Sequence, residues 1–122
     1  NLNAALGCAQ LESLKHFLKI KKNIANLYKE FFSETDFKFI SEPEYAQSNY
    51  WLNAIFCPNE DAKNSLLEYS NNKGVNMRPV WKLMYKLPMF SKSMKGEMKN
   101  AEKIESLLVN LPSSPKEIIF KS

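Results

Sequence analysis

From Leu2 to Phe32 the chain runs without a proline and with a single glycine, Gly7. An interior proline would remove a helical hydrogen bond and clash with the preceding turn, so this run leaves room for one long helix. Within it Leu14, Phe17, Ile20, Ile24, Leu27 and Phe31 recur at spacings of three and four, which sets them on one helical face. Lys15, Lys19, Lys22, Lys29, Glu12 and Glu30 fall largely off that stripe. The first turns are different in kind. Ala4, Ala5, Leu6, Gly7, Cys8 and Ala9 are small or apolar on every side, as suits a helix end packed against another body. That body is expected to be a domain this chain does not contain or a second copy of the chain.

Shorter patterns follow. Phe37 to Ile40 alternates weakly and is expected to form a short strand ended by Glu42-Pro43. Tyr50 to Cys57 reads as the clearest strand, with Tyr50, Leu52, Ala54 and Phe56 on one face and Trp51, Asn53, Ile55 and Cys57 on the other. Asn59 is placed to cap a helix, with Glu60 and Asp61 in its favoured first turn. That helix carries Ala62, Leu66, Leu67 and Tyr69 and stops at Asn72-Lys73-Gly74, where glycine supplies the left-handed conformation. Val75 to Trp81 is expected to be a second strand, held at an edge or ended by Pro79. Trp81 to Phe90, rich in Met, Lys and aromatics, has neither period and is expected to be an ordered loop with one short helical turn. A last helix starting near Glu97 would bury Ala101, Ile104, Leu107 and Leu108 and end at Leu111-Pro112. Ile118 to Phe120 is expected to be a final strand or a truncated helix. The predicted class is α+β: a small antiparallel sheet of about three strands covered by helices and preceded by a long N-terminal helix. The whole forms a single domain over 1–122, divided into a connecting helix (1–33) and a small α+β unit (34–122).

Composition narrows the function classes. A chain of 122 residues that is 44% hydrophobic and 25% charged is that of a folded domain, not of a disordered segment. No apolar run is long enough to span a bilayer, and no secretory leader opens the chain, so a membrane role is not expected. The start at Asn1-Leu2-Asn3, without an initiator Met, reads as a piece of a longer protein. The net charge is +4, yet Arg78 is the only arginine and acidic residues are interspersed through most of the lysines. Only Lys82, Lys86, Lys92, Lys95 and Lys99 gather, relieved by Glu97, and they are expected to be a solvated surface. Cys8 and Cys57 make no metal motif or disulfide framework and are expected to be free, partly buried thiols in a reducing, cytoplasmic setting. His16, the sole histidine, lacks partners for a zinc site and is expected at the surface.

Four segments, in order, resemble one family. Asn1 to Glu12 is similar to the "N-x-x-A-A-L-G-x-x-Q-L-E" helix of the DegT/DnrJ sugar-nucleotide aminotransferases, enzymes of pyridoxal-phosphate fold type I. Ser48-Asn49-Tyr50-Trp51-Leu52 resembles the strand that opens their small C-terminal domain. Gly74 to Trp81 with Leu87-Pro88-Met89-Phe90 resembles their "G-I-x-x-R-x-x-Y…P-x-Y" segment, and Asn100-Ala101-Glu102 with Asn110 to Ser114 their closing "A-E…x-L-P" stretch. Arg78-Pro79-Val80-Trp81 and Leu87-Pro88-Met89 most resemble the subgroup that aminates UDP-linked dideoxy sugars for legionaminic-type nonulosonic acids.

The resemblance implies a parent enzyme, a cytoplasmic homodimer, that moves an amino group from glutamate to a 4-keto sugar nucleotide. It implies that the lysine holding pyridoxal phosphate, and the carboxylate on its ring nitrogen, lie in a large domain upstream of Asn1. No catalytic or cofactor-binding residue is then expected in this chain, which would bind no cofactor and be inactive alone. The loop from Arg78 to Phe90 would line the substrate cleft. There Arg78 is suited to a bidentate grip on a carboxylate or diphosphate, and Trp81 and Tyr85 to stacking on a sugar or base. The plainer alternatives are a surface arginine and two packing aromatics. Two other functions remain open: a free-standing basic module for nucleic acid or another polyanion, and a self-association domain using the Ala4 to Ala9 turns.

Overall fold

The computed structural model describes residues 1–115. The expected strand or helix at Ile118 to Phe120 lies outside them. Helix α1 (Leu2–Phe31) runs unbroken for 30 residues, about 45 Å at 1.5 Å per residue. Asn1 caps it, its side chain accepting from the Asn3 N–H at 3.1 Å. The face that meets the rest of the molecule is set by Lys21, Ile24, Ala25, Tyr28 and Phe32. This departs from the expected stripe at its C-terminal end, where Leu27 (37%) and Phe31 (73%) are exposed. Against the core cluster the helix end presents Tyr28 and Phe32, so the docking face there is chosen by what the sheet presents. Residues 1–12 are exposed throughout, Leu2, Leu6 and Leu11 among them.

Four short strands form one antiparallel sheet, β1 (Lys38–Phe39), β2 (Asn53–Phe56), β3 (Arg78–Pro79) and β4 (Leu108–Leu111), in the order β1-β2-β4-β3. The last of the described strands in sequence, β4, thus lies inside the sheet. Its register sets Ile55 opposite Val109 and Asn53 opposite Leu111. Opposed residues share a face, so these four and Cys57 make one wall of the core, onto which Phe32 of α1 packs. Tyr28, Phe37, Phe39, Leu66, Leu67 and Met77 close it at the rim.

Helix α2 (Glu60–Asn72) starts and stops as the sequence predicts. Asn59 Oδ1 accepts from the Ala62 N–H at 2.8 Å, and Gly74 takes φ +77° just past the end. Tyr69, however, is exposed, and Leu66 and Leu67 carry the packing. Helix α3 (Lys99–Leu107) follows, and here two expectations fail. Leu108 to Leu111 leaves the helix to become β4, and Ile104 stays exposed at 43%. The apolar run Leu107-Leu108-Val109 fits either period when read alone; pairing on both sides, to β2 and β3, decides for the strand. Among the described residues the small antiparallel sheet thus has four strands, one more than the three or so expected.

The two other expected strands are shorter than their patterns. Tyr50 has φ +46° and the Ser48 and Asn49 side chains bond main-chain N–H groups two residues on, which keeps 48–52 out of the sheet. Strand β2 accordingly begins at Asn53, and Trp51 points to solvent instead of sharing a strand face with Ile55. Arg78 and Pro79 alone pair with β4, at the sheet edge where proline is tolerated.

Candidate functional site

Each of the three candidate residues is placed by a different element. Arg78 sits on edge strand β3, opposite Asn110, with its side chain exposed. Its guanidinium makes no hydrogen bond or ion pair with another described residue, so its five donors face solvent.

Trp81 follows in extended chain beyond Pro79 and is 71% exposed. Its indole lies against that of Trp51, with ring centroids 6.4 Å apart and planes tilted by 31°. Trp51 is itself 67% exposed, so the pair is a surface feature and not core packing. This partnership was not legible in the sequence, where the expected strand set Trp51 on one face with Asn53, Ile55 and Cys57.

Tyr85 lies in the first of two 3₁₀ turns, Met84–Lys86 and Pro88–Phe90, where one helical turn was expected. Its hydroxyl donates to Glu102 Oε1 on α3, and Lys95 Nζ stands 4.2 Å from its ring centroid. The Glu102 bond, before every other cause, pushes the phenol up to about 12. Tyr85 therefore ties the loop to α3. Its hydroxyl is already engaged and one ring face is covered by a cation.

A second tie runs in parallel. Lys86 pairs with Glu105 Oε2, and Glu105 Oε1 accepts from the Leu83 N–H at 3.0 Å. Lys86 first, then that N–H, hold the Glu105 carboxyl below the usual carboxylate range. Lys86 is thus not a free solvated cation as expected. Lys95 over Tyr85 and Lys99 beside Glu97 likewise have partners, so the lysine cluster is partly neutralised from within.

No ring contact or hydrogen bond joins Arg78, Trp81 and Tyr85 to one another among the described residues. They share one stretch of chain, braced on α3 at Tyr85 and Lys86 and carrying its free chemistry at Arg78 and the two indoles. Of the surface hollows, two bear on this region, the second bordered by Lys86, Glu102 and Glu105 of the two ties. One, of about 610 Å³, lies beside Lys38, Phe56, Asn100 and Ile104, and the other, of about 530 Å³, among the charged side chains around Glu60, Lys63 and Glu102. No group of metal-ligating side chains occurs among the described residues. No described helix is long and apolar enough to cross a membrane.

The two cysteines are free, but they differ. Cys57 is buried and its thiol pushed up by burial, whereas Cys8 is exposed, not partly buried. His16 is at the surface, beside Phe17.

Lysines withdrawn from solvent are the remaining candidates for carbonyl chemistry. Lys63 donates to the Glu105 carbonyl at 3.0 Å, and Lys21 donates to three carbonyls, those of Tyr50, Trp51 and Ser113, at 3.2, 3.3 and 2.7 Å. Lys21 has all three donors on main-chain carbonyls, whereas Lys63 gives one bond to main chain and borders the charged hollow lined by Glu60, Glu102 and Glu105.

Comparison with known proteins gives one family. The model of the DegT/DnrJ/EryC1/StrS aminotransferase family matches residues 1–117. A curated relative, GDP-perosamine synthase of Escherichia coli O157:H7, is 29% identical over 115 residues, covering 94% of this chain and 31% of the relative. Among solved structures, Helicobacter pylori PseC, an aminotransferase involved in the biosynthesis of pseudoaminic acid, superposes with TM-score 0.84 at 19% identity, over 94% of this chain and 32% of that one. The E. coli GDP-4-keto-6-deoxy-D-mannose-3-dehydratase with bound hydrated PLP superposes with TM-score 0.73 at 18% identity, over 93% and 31%. The chain thus spans about a third of the length of the proteins it matches.

Proposed function

This chain belongs to the DegT/DnrJ/EryC1/StrS aminotransferase family, and we propose that it is the substrate-side domain of an enzyme that moves an amino group from glutamate to a 4-keto sugar nucleotide. The observation that carries the reading is the family match over residues 1–117 by a chain only about a third as long as its relatives. The described residues do not fit pyridoxal phosphate: Lys21 has every donor on a carbonyl, and the hollow beside Lys63 is lined by glutamates, lysines and a serine, with no apolar face for a pyridine ring. This supports the reading that the cofactor, its lysine and its ring carboxylate belong to a large domain outside these residues.

What the chain contributes is a braced loop and a docking helix. The exposed leucines and small residues of α1 before Leu14 supply an apolar face for the large domain, and the assembled enzyme works as a homodimer in the cytoplasm. Arg78 pairs with the diphosphate, and Trp81 offers a stacking face. Tyr85 is better assigned to holding the loop, given its bond to Glu102. The wording of Arg78 to Trp81 supports a UDP-linked dideoxy sugar of the legionaminic type, whereas the relative's name supports a GDP-linked one.

The deciding assay supplies the full-length protein with pyridoxal phosphate, glutamate and 4-keto sugars linked to UDP or GDP. Formation of 2-oxoglutarate with one of them is expected, and none from the 122-residue chain alone. A full-length protein inert toward both would overturn the reading.

A further inference from the structure

Lys21 is the one described side chain that reaches three separate main-chain carbonyls, and they come from two distant segments. Tyr50 and Trp51 precede β2, while Ser113 follows β4. An ammonium has three N–H donors and no acceptor, so the set is complete. No carboxylate pairs with Lys21 among the described residues; its charge is met by carbonyl dipoles alone. Successive carbonyls of an extended chain point to opposite sides. The +46° φ of Tyr50, the only described non-glycine residue with positive φ, breaks that alternation and lets two neighbouring carbonyls reach one nitrogen. A left-handed tyrosine is a strained conformation, and the charge-assisted bonds to Lys21 offset that strain.

The same carbonyl cradle decides where Trp51 lies. Its N–H is fixed by Asn49 Oδ1 at 2.9 Å and its carbonyl by Lys21, leaving the indole to project against Trp81. Ser113 anchors the far side: its Oγ accepts from the Asn53 N–H at 2.8 Å and donates to the Leu111 carbonyl at 2.8 Å. We infer that Lys21 is the positioning residue of the Trp51–Trp81 pair, and that its removal leaves a three-carbonyl site able to take a small primary ammonium ion. The consequence for a ligand, that the two indoles together and not Trp81 alone meet a planar ring, rests on the function proposed above. The positioning itself does not.

The chain has two tryptophans, so the exciton couplet of two coupled indoles in circular dichroism reads this pair alone. The couplet should be present in the wild-type chain and absent from Trp51→Phe. It should fall to the Trp51→Phe level in Lys21→Ala and Lys21→Met and persist in Lys21→Arg, which keeps charge and donors. Adding n-propylammonium, the excised part of the side chain, should restore it in Lys21→Ala. Tetramethylammonium at equal ionic strength, a cation without N–H donors, should not. An unchanged couplet in Lys21→Met would overturn the inference, as would equal recovery with both cations. So would a Lys21→Ala chain that is unfolded and stays unfolded in saturating propylammonium. The measurement uses no substrate or cofactor, so its failure is distinct from failure of the transfer assay.

Discussion

Tyr85 and Glu105 show how single residues brace the loop from Arg78 to Phe90 on α3, and each gives a pH signature. The Tyr85 phenol is raised to about 12 because its O–H donates to Glu102. A folded-state pKa above the unfolded one contributes stability that is whole below the unfolded value and is lost as pH rises through the folded value. An absorbance titration should therefore show late-titrating tyrosinate, of which Tyr85→Phe removes one component and leaves that of Tyr28, raised by burial, and the loop should loosen only at strongly alkaline pH. Glu105 has the opposite sign. Its carboxyl is depressed by Lys86 and the Leu83 N–H, so its contribution is present above the ordinary carboxylate range and is lost as pH falls through the depressed value. The Leu83 amide should be protected relative to its intrinsic exchange rate near neutrality and lose that protection in acid, and it should be unprotected at both in Glu105→Ala. Protection that ignores both acid and the substitution would contradict the tie. None of this was legible in the sequence. Tyr85 and Glu102 are seventeen residues apart, and spacing of that kind carries no periodic signal; only the folding of the loop back onto α3 brings them together.

At the scale of elements, what the sequence displayed was whatever local chemistry decides. Asn59 acts through its side-chain cap and Gly74 and the proline-free opening stretch through their own backbone, and α1 and α2 fall where those residues put them. Asn59→Ala should cost about 1 kcal/mol in urea unfolding through the lost cap. Strand β4 is the counter-example. Leu108 to Leu111 follows directly on α3 and reads as its continuation, and only the partners β2 and β3 make it a central strand. Strand β2 was overread for the converse reason: Tyr50 to Leu52 alternates correctly, but Ser48 and Asn49 turn the backbone before the sheet starts. Because Ile55 faces Val109 across the middle of the sheet with no exposure at all, Ile55→Ala should cost roughly 2–5 kcal/mol. A loss as small as that of a surface substitution would mean the sheet is not the core.

For the whole molecule, the family resemblance was written in the sequence more plainly than the site. Four motifs in order point to an aminotransferase, and the family match over residues 1–117 agrees. The roles of Trp51 and Lys21 were hidden, since both depend on a left-handed residue at Tyr50 that no pattern announces. The central claim is that this chain shapes and docks while a lysine elsewhere holds the cofactor. The most direct measurement is borohydride reduction of the full-length protein loaded with pyridoxal phosphate, followed by peptide mapping of the pyridoxyl-labelled lysine. The account predicts a label outside these 122 residues; a label on Lys21, Lys63 or any other lysine of this chain would contradict it.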